Sequence, residues 1–159
     1  MLPGGPVVRI HVPVHLRWGD LDAYNHVNNV EVFRILEEAR VRAFWASDDS
    51  RDEALDSAVF EPGGSSLSLI SGHRIEYIRP LAYQRAPVDV QLWFTSLSGA
   101  RATIGYELFD GASPTVYAQA SSTMVFVEED GYRPRRMTPL ENAAWAPYLG
   151  EPVSFSGRS

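Results

Sequence analysis

Val8, Ile10, Val12, Val14 and Leu16 alternate with Arg9, His11, Pro13, His15 and Arg17. This period of two predicts a half-buried strand, with Pro13 marking an edge or a bulge. His11 and His15 fall on its polar side. From Asn28 to about Ala46 the period lengthens, and a rotation of 100° per residue gathers Val32, Phe33, Ile35, Leu36, Ala39, Ala43 and Phe44 into one sector, predicting a long helix. Glu31, Arg34, Glu38 and Arg42 share the opposite face at ion-pair spacing. Glu37 and Arg40 sit at the border of the apolar sector, three residues apart. They read as a compensating pair or a subunit contact rather than catalytic groups, because removing either would leave a desolvated charge.

Residues 47–66 hold no sustained period and read as a loop with at most one helical turn. Extended runs follow at Leu67–Arg79, Pro87–Leu97, Arg101–Phe109 and Pro114–Val127. The second alternates cleanly, with Val88, Val90, Leu92 and Phe94 between Asp89, Gln91, Trp93 and Thr95. Ser98-Gly99-Ala100 and Asp110-Gly111-Ala112-Ser113 are turn chemistry between runs, and such short connections favour antiparallel pairing. Thr138, Pro139 and Glu141 predict a capped short helix to about Leu149. The sum is an α+β layer over 1–159: one long helix on a five-stranded antiparallel sheet, with the core at about 8–127 and a peripheral segment at 128–159.

Composition adds exclusions. The 159 residues are 45% hydrophobic and 21% charged, enough for one domain with its own core. Fourteen basic against twenty acidic side chains leave a net charge of −6, which argues against a nucleic-acid partner tracking phosphates. No cysteine is present, so thiol nucleophiles, cysteine-ligated metals and disulfides are excluded. No apolar run reaches the roughly 18 residues of a membrane span, and the first residues lack signal-peptide order, so no membrane insertion and a cytoplasmic location are expected.

The densest polar stretch is Arg17-Trp18-Gly19-Asp20-Leu21-Asp22-Ala23-Tyr24-Asn25-His26-Val27-Asn28-Asn29, between the first strand and the helix. The first N–H groups of a helix lack intrahelical partners and carry the positive end of its dipole, so a carbonyl placed there would be polarised. A nearby carboxylate could attack that carbonyl or activate a water. The same Asp and Asn residues also suit turns and helix caps, a purely structural use. A metal site is not expected, since His26 has no second histidine at ligand spacing. No nucleophile elbow, zinc-protease, phosphate-loop or dinucleotide motif occurs.

Arg17-Trp18-Gly19-Asp20-Leu21-Asp22, His26-Val27-Asn28-Asn29, Leu36-Glu37-Glu38-Ala39-Arg40 and Ile75-Glu76-Tyr77-Ile78-Arg79-Pro80-Leu81 together resemble the hotdog-fold acyl-CoA thioesterases of the 4-hydroxybenzoyl-CoA thioesterase group. The resemblance covers about Val8–Val127, with Arg133–Thr138 also similar to the family's ending. It implies a thioester hydrolase acting on an acyl-CoA substrate, with no cofactor beyond the coenzyme A of that substrate, assembled as a homodimer or tetramer. It implies that Asp22 is the catalytic nucleophile or general base, that Asp20 is structural, and that the Asn29 backbone N–H binds the thioester carbonyl. His26, Asn28 and the Asn29 side chain would line the site or cap the helix, and Tyr24 is a further substrate-binding candidate.

The chain departs from the family pattern at two places. Asn25 stands where glycine is common, and asparagine is the side chain best able to adopt a left-handed turn. The Ser98–Ala100 hairpin lacks the usual basic residue, leaving Arg79, Arg85 and Arg101 as candidate partners for the coenzyme A phosphates. Trp18, Tyr24, Phe33, Phe60, Tyr77 and Trp93 could shape a pocket or fill the core. Alternative readings are a thioesterase acting on acyl carrier protein and a non-catalytic acyl-CoA-binding protein.

Overall fold

The computed structural model describes residues 8–45, 57–60 and 66–156. Five strands form one antiparallel sheet: β1 (Ile10–Val14), β2 (Leu67–Tyr77), β3 (Val88–Ser98), β4 (Arg101–Phe109) and β5 (Val116–Val127), in the order β1-β3-β4-β5-β2. The β3–β4 hairpin closes through Gly99, whose φ of +61° a residue without Cβ adopts freely. Alternation places Val88, Val90, Leu92 and Phe94 in the core, with Ile104, Tyr106 and Leu108 beside them on β4. β1 and β2 are the sheet edges, and Pro13 lies in β1, where one side of the strand has no ladder to lose.

Helix α1 (Asn29–Phe44) presents Val32, Ile35, Leu36, Ala39, Ala43 and Phe44 to the sheet, the sector expected from its period. Its outer face carries the ion pairs Arg34–Glu31 (2.6 Å), Arg34–Glu38 (3.4 Å) and Arg42–Glu38 (4.0 Å). Arg40 is buried, 3.6 Å from the exposed Glu37 carboxylate, and donates to the Tyr106 hydroxyl (3.3 Å).

The picture of one long helix needs correction. α1 has 16 residues, about 24 Å at 1.5 Å per residue, whereas the 12 residues of β5 span about 40 Å. A second helix, α2 (Pro139–Trp145), is capped as expected by Thr138, which accepts from the Glu141 N–H (3.1 Å) while Glu141 accepts from the Thr138 N–H (2.8 Å). The segment after Val127 is not peripheral either. Trp145 is fully buried, with ring centroids 4.4 Å from Phe94, 5.0 Å from Phe44 and 5.5 Å from Phe126, and its indole N–H donates to the Ser57 carbonyl (2.7 Å). A short α1 leaves the end of the sheet uncovered, and Trp145 fills that gap. Most of the expected loop at 47–66 lies outside the described residues, but Ser57 and Phe60 within it are buried. Among the described residues no helix is long and apolar enough to cross a membrane.

Candidate active site

After β1 the chain makes a single 3-10 turn, Trp18–Asp20, that buries the Asp20 carboxylate completely. The Arg17 N–H (2.8 Å), the Arg17 guanidinium (2.9 Å) and Arg34 from α1 (3.2 Å) all donate to it. Burial, the largest influence, pushes this carboxyl up, but the Arg17 hydrogen bonds and the charges of Arg34 and Arg17 outweigh it. They hold Asp20 below the ordinary carboxylate range. The Asn28 N–H donates to the Asp20 carbonyl (2.8 Å), so this residue ties the strand exit to the helix entry. Its carboxylate and carbonyl are both taken up in holding the fold.

Between those anchors the chain forms a tight reversal in which Leu21 and Val27 pair as an antiparallel bridge. Asn25 sits at φ +61°, the left-handed turn that asparagine tolerates best after glycine. The Asp22 Oδ1 accepts the Tyr24 N–H (2.8 Å) and the His26 N–H (3.2 Å), organising the turn. Its Oδ2 has no hydrogen-bond donor among the described residues. One Asp22 oxygen thus serves the turn, the structural use that its position suits, and the other is uncommitted. Asn28 is the N-cap of α1, its side chain accepting the Val30 N–H (2.9 Å). The Asn29 N–H, at the first helical position, has no acceptor among the described residues.

A cavity of about 400 Å³ opens on this junction. Asp22, Tyr24, His26 and Asn29 line one side, while Tyr77 and Arg79 from the exit of β2 line the other. The two sides are held together by the Val27 N–H donating to the Leu81 carbonyl (2.8 Å) and by a bridge between His26 and Ala82. The Tyr77 hydroxyl donates to the Asn29 carbonyl (3.0 Å), and burial pushes this phenol up, so it stays a donor across the neutral range. Leu108 and Ala118 form an apolar floor.

Five expected site residues, Asp22, Tyr24, His26, Asn29 and Arg79, thus share one cavity. Asn28 caps the helix beside it. Arg101 begins β4, seven residues before the cavity-lining Leu108, which sets it about 23 Å away within the chain. Arg85 is exposed and does not line the cavity. Of the aromatics, Tyr24 and Tyr77 reach the cavity, while Phe60 and Trp93 are buried elsewhere. Tyr117 on β5 also lines it, and nothing in the alternation of that strand marks it out. Among the described residues no three histidine or carboxylate side chains gather as metal ligands.

A family model described as the thioesterase-like superfamily matches residues 16–146. The chain belongs to the thioesterase-like superfamily. It is a thioester hydrolase of α+β fold, and the expected family is the one found. Solved structures agree on the fold. The PA5185 protein of Pseudomonas aeruginosa is 22% identical with a TM-score of 0.69, over 91% of this chain and 97% of that one. The PA2801 protein of the same organism is 27% identical with a TM-score of 0.67, over 86% and 95%. A Thermus thermophilus thioesterase solved with coenzyme A and zinc is 22% identical with a TM-score of 0.64, over 90% and 96%. No curated protein matches the chain.

Proposed function

We propose that this member of the superfamily hydrolyses an acyl-CoA thioester to a free carboxylic acid and coenzyme A, with Asp22 as the catalytic carboxylate. The observation carrying this reading is that Asp22, with its Oδ2 uncommitted, and Asn29, with the unpaired first N–H of α1, line the same cavity. With the thioester carbonyl oxygen at the Asn29 N–H, the helix dipole withdraws electron density from the carbonyl carbon and stabilises the oxyanion as it forms. Asp22 Oδ2 either attacks that carbon, giving a mixed anhydride that water then cleaves, or takes a proton from the attacking water. In both routes the C–S bond breaks, coenzyme A leaves as the thiolate and is protonated, and water supplies the oxygen of the acid. The carboxylate and the backbone dipole suffice for this chemistry without a further cofactor.

The coenzyme A assignment draws on the Thermus relative, solved with that molecule, and on Arg79 at the cavity wall. In a chain of net charge −6, a cation at the mouth is what a polyanionic substrate needs. We read the whole chain as one domain of the hotdog type that works in the cytoplasm, where acyl-CoA is made, as a homodimer or a tetramer.

The deciding experiment measures thiol release from aliphatic and aryl acyl-CoA esters by the wild type and Asp22→Asn. The expected result is a fall in kcat of about 10²- to 10⁴-fold with KM little changed, the signature of a group acting in the transition state. Equal rates in both proteins would remove Asp22 from the mechanism. Binding without thiol release from any ester would show a non-catalytic acyl-CoA-binding protein.

A further inference from the structure

Beyond α2 the chain turns to the face of the sheet opposite α1 and the cavity. The Gly150 N–H donates to the Phe94 carbonyl of β3 (2.7 Å), and the Trp93 indole N–H donates to the Glu151 carbonyl (2.7 Å). Val153 lies over Gly105 of β4, where a Cβ would come within 2.8 Å of the Trp93 ring and 3.0 Å of Val153 Cγ2. The Gln119 side-chain amide of β5 donates to the Ser154 carbonyl (2.9 Å). The Arg74 guanidinium of β2 lies 4.2 Å from the Phe155 ring centroid, and the Ser156 N–H (3.1 Å) and hydroxyl (2.7 Å) both donate to the Glu76 carboxylate. Residues 150–156 therefore form a strap that crosses β3, β4, β5 and β2 in sheet order. The strap lies past Trp145 and Ala146, where the family match ends.

Its far end meets β2, whose last residue Tyr77 lines the cavity. β2 is a sheet edge, laddered to β5 on one side only. Glu76 and Tyr77 are neighbours on opposite faces: Glu76 is gripped by Ser156 and by Gln119 (2.7 Å) outside, while Tyr77 lines the cavity inside and holds the Asn29 carbonyl. The next two residues, Ile78 and Arg79, donate their N–H groups to the Tyr117 carbonyl (2.9 and 3.1 Å). The last residues of a strand fray most readily, and a clamp on one face restrains the side chains on the other.

We propose that the strap positions the cavity wall, with Glu76 as the positioning residue through which it holds Tyr77 and Arg79. This rests on the cavity being the acyl-CoA site. Asp22 is held by the Tyr24 and His26 N–H groups of its own turn, and Asn29 follows the cap residue Asn28, whose N–H is tied to the Asp20 carbonyl. Tyr77 reaches only the Asn29 carbonyl, not its N–H, so loss of the clamp acts on substrate binding at Tyr77 and Arg79 more than on the chemical step.

The test compares the wild type, a chain ending after Gly150, full-length Glu76→Ala and their combination. Steady-state kinetics on the best acyl-CoA ester are expected to show KM raised about five- to tenfold in each single variant, with kcat within about twofold. The combination should fall short of the product of the two effects, because both variants break the same clamp. Amide exchange at Ile78 and Arg79 should quicken about tenfold while the β3–β4 hairpin is unchanged. A purely structural strap would lower the unfolding midpoint and leave KM as it was, and unchanged KM in Glu76→Ala overturns the proposal even if the shortened chain does not fold. If the wild type releases no thiol, the acyl-CoA reading fails on its own; quickened exchange at Ile78 and Arg79 still supports the clamp, and unchanged exchange overturns it.

Discussion

Asp20 and Asp22 are two residues apart and carry the same functional group, yet their surroundings give them different work. Asp20 is buried among donors from Arg17 and Arg34, and both of its oxygens accept from them. Asp22 lines the cavity, keeps Oδ1 for the turn and leaves Oδ2 without a donor among the described residues. The resemblance separates the two residues, and the positions of Arg17 and Arg34 give the physical reason why Asp20 is the one committed to the fold. A pH consequence belongs to Asp20. Its carboxyl is held low in the fold, so its stabilisation is fully present above the unfolded value of about 4 and is lost as pH falls through the lower folded value. Thermal denaturation from about pH 6 down to about pH 2 should find Asp20→Asn less stable than the wild type by about 1–3 kcal/mol at the upper end, with the two curves converging as acid is approached. Parallel curves throughout would mean that the Arg17 and Arg34 contacts contribute nothing through charge.

At the scale of elements, what was legible is what local chemistry encodes. The alternation of β3, the apolar sector of α1 and the capping box of α2 all involve residues within a few positions of one another, and all three appear in the structure. The role of α2 was not legible, because a seven-residue helix carries too short a period to show that its last residue, Trp145, enters a cluster with Phe44, Phe60, Phe94 and Phe126. Those partners come from four distant parts of the chain. Trp145→Ala would empty a fully enclosed site and orphan the Ser57 carbonyl, so a loss of about 3–5 kcal/mol is expected in denaturant unfolding, against less than about 0.5 kcal/mol for the exposed Trp18→Ala. Similar losses at both positions would show that Trp145 does not bear the core.

For the whole molecule, the sheet order leaves β2 as an edge of 11 residues, with exposed positions from Ser71 to Arg74 and no ladder partner on its outer side among the described residues. A long unblocked edge is a template for another strand, and a second copy of the same chain offers one of equal length. Light scattering at micromolar concentration should return at least twice the mass of one chain; a monomer would remove the shared-edge assembly. The periods of two and 3.6, the turn residues, the caps and the missing cysteines were determined by the sequence alone, because each depends on neighbours along the chain. Only the tertiary structure brought Tyr77 and Arg79 beside Asp22, set Arg101 at the far end of β4, and laid residues 150–156 across the sheet. Those placements join residues tens of positions apart, and they follow from how strands order and pack, which no local pattern records.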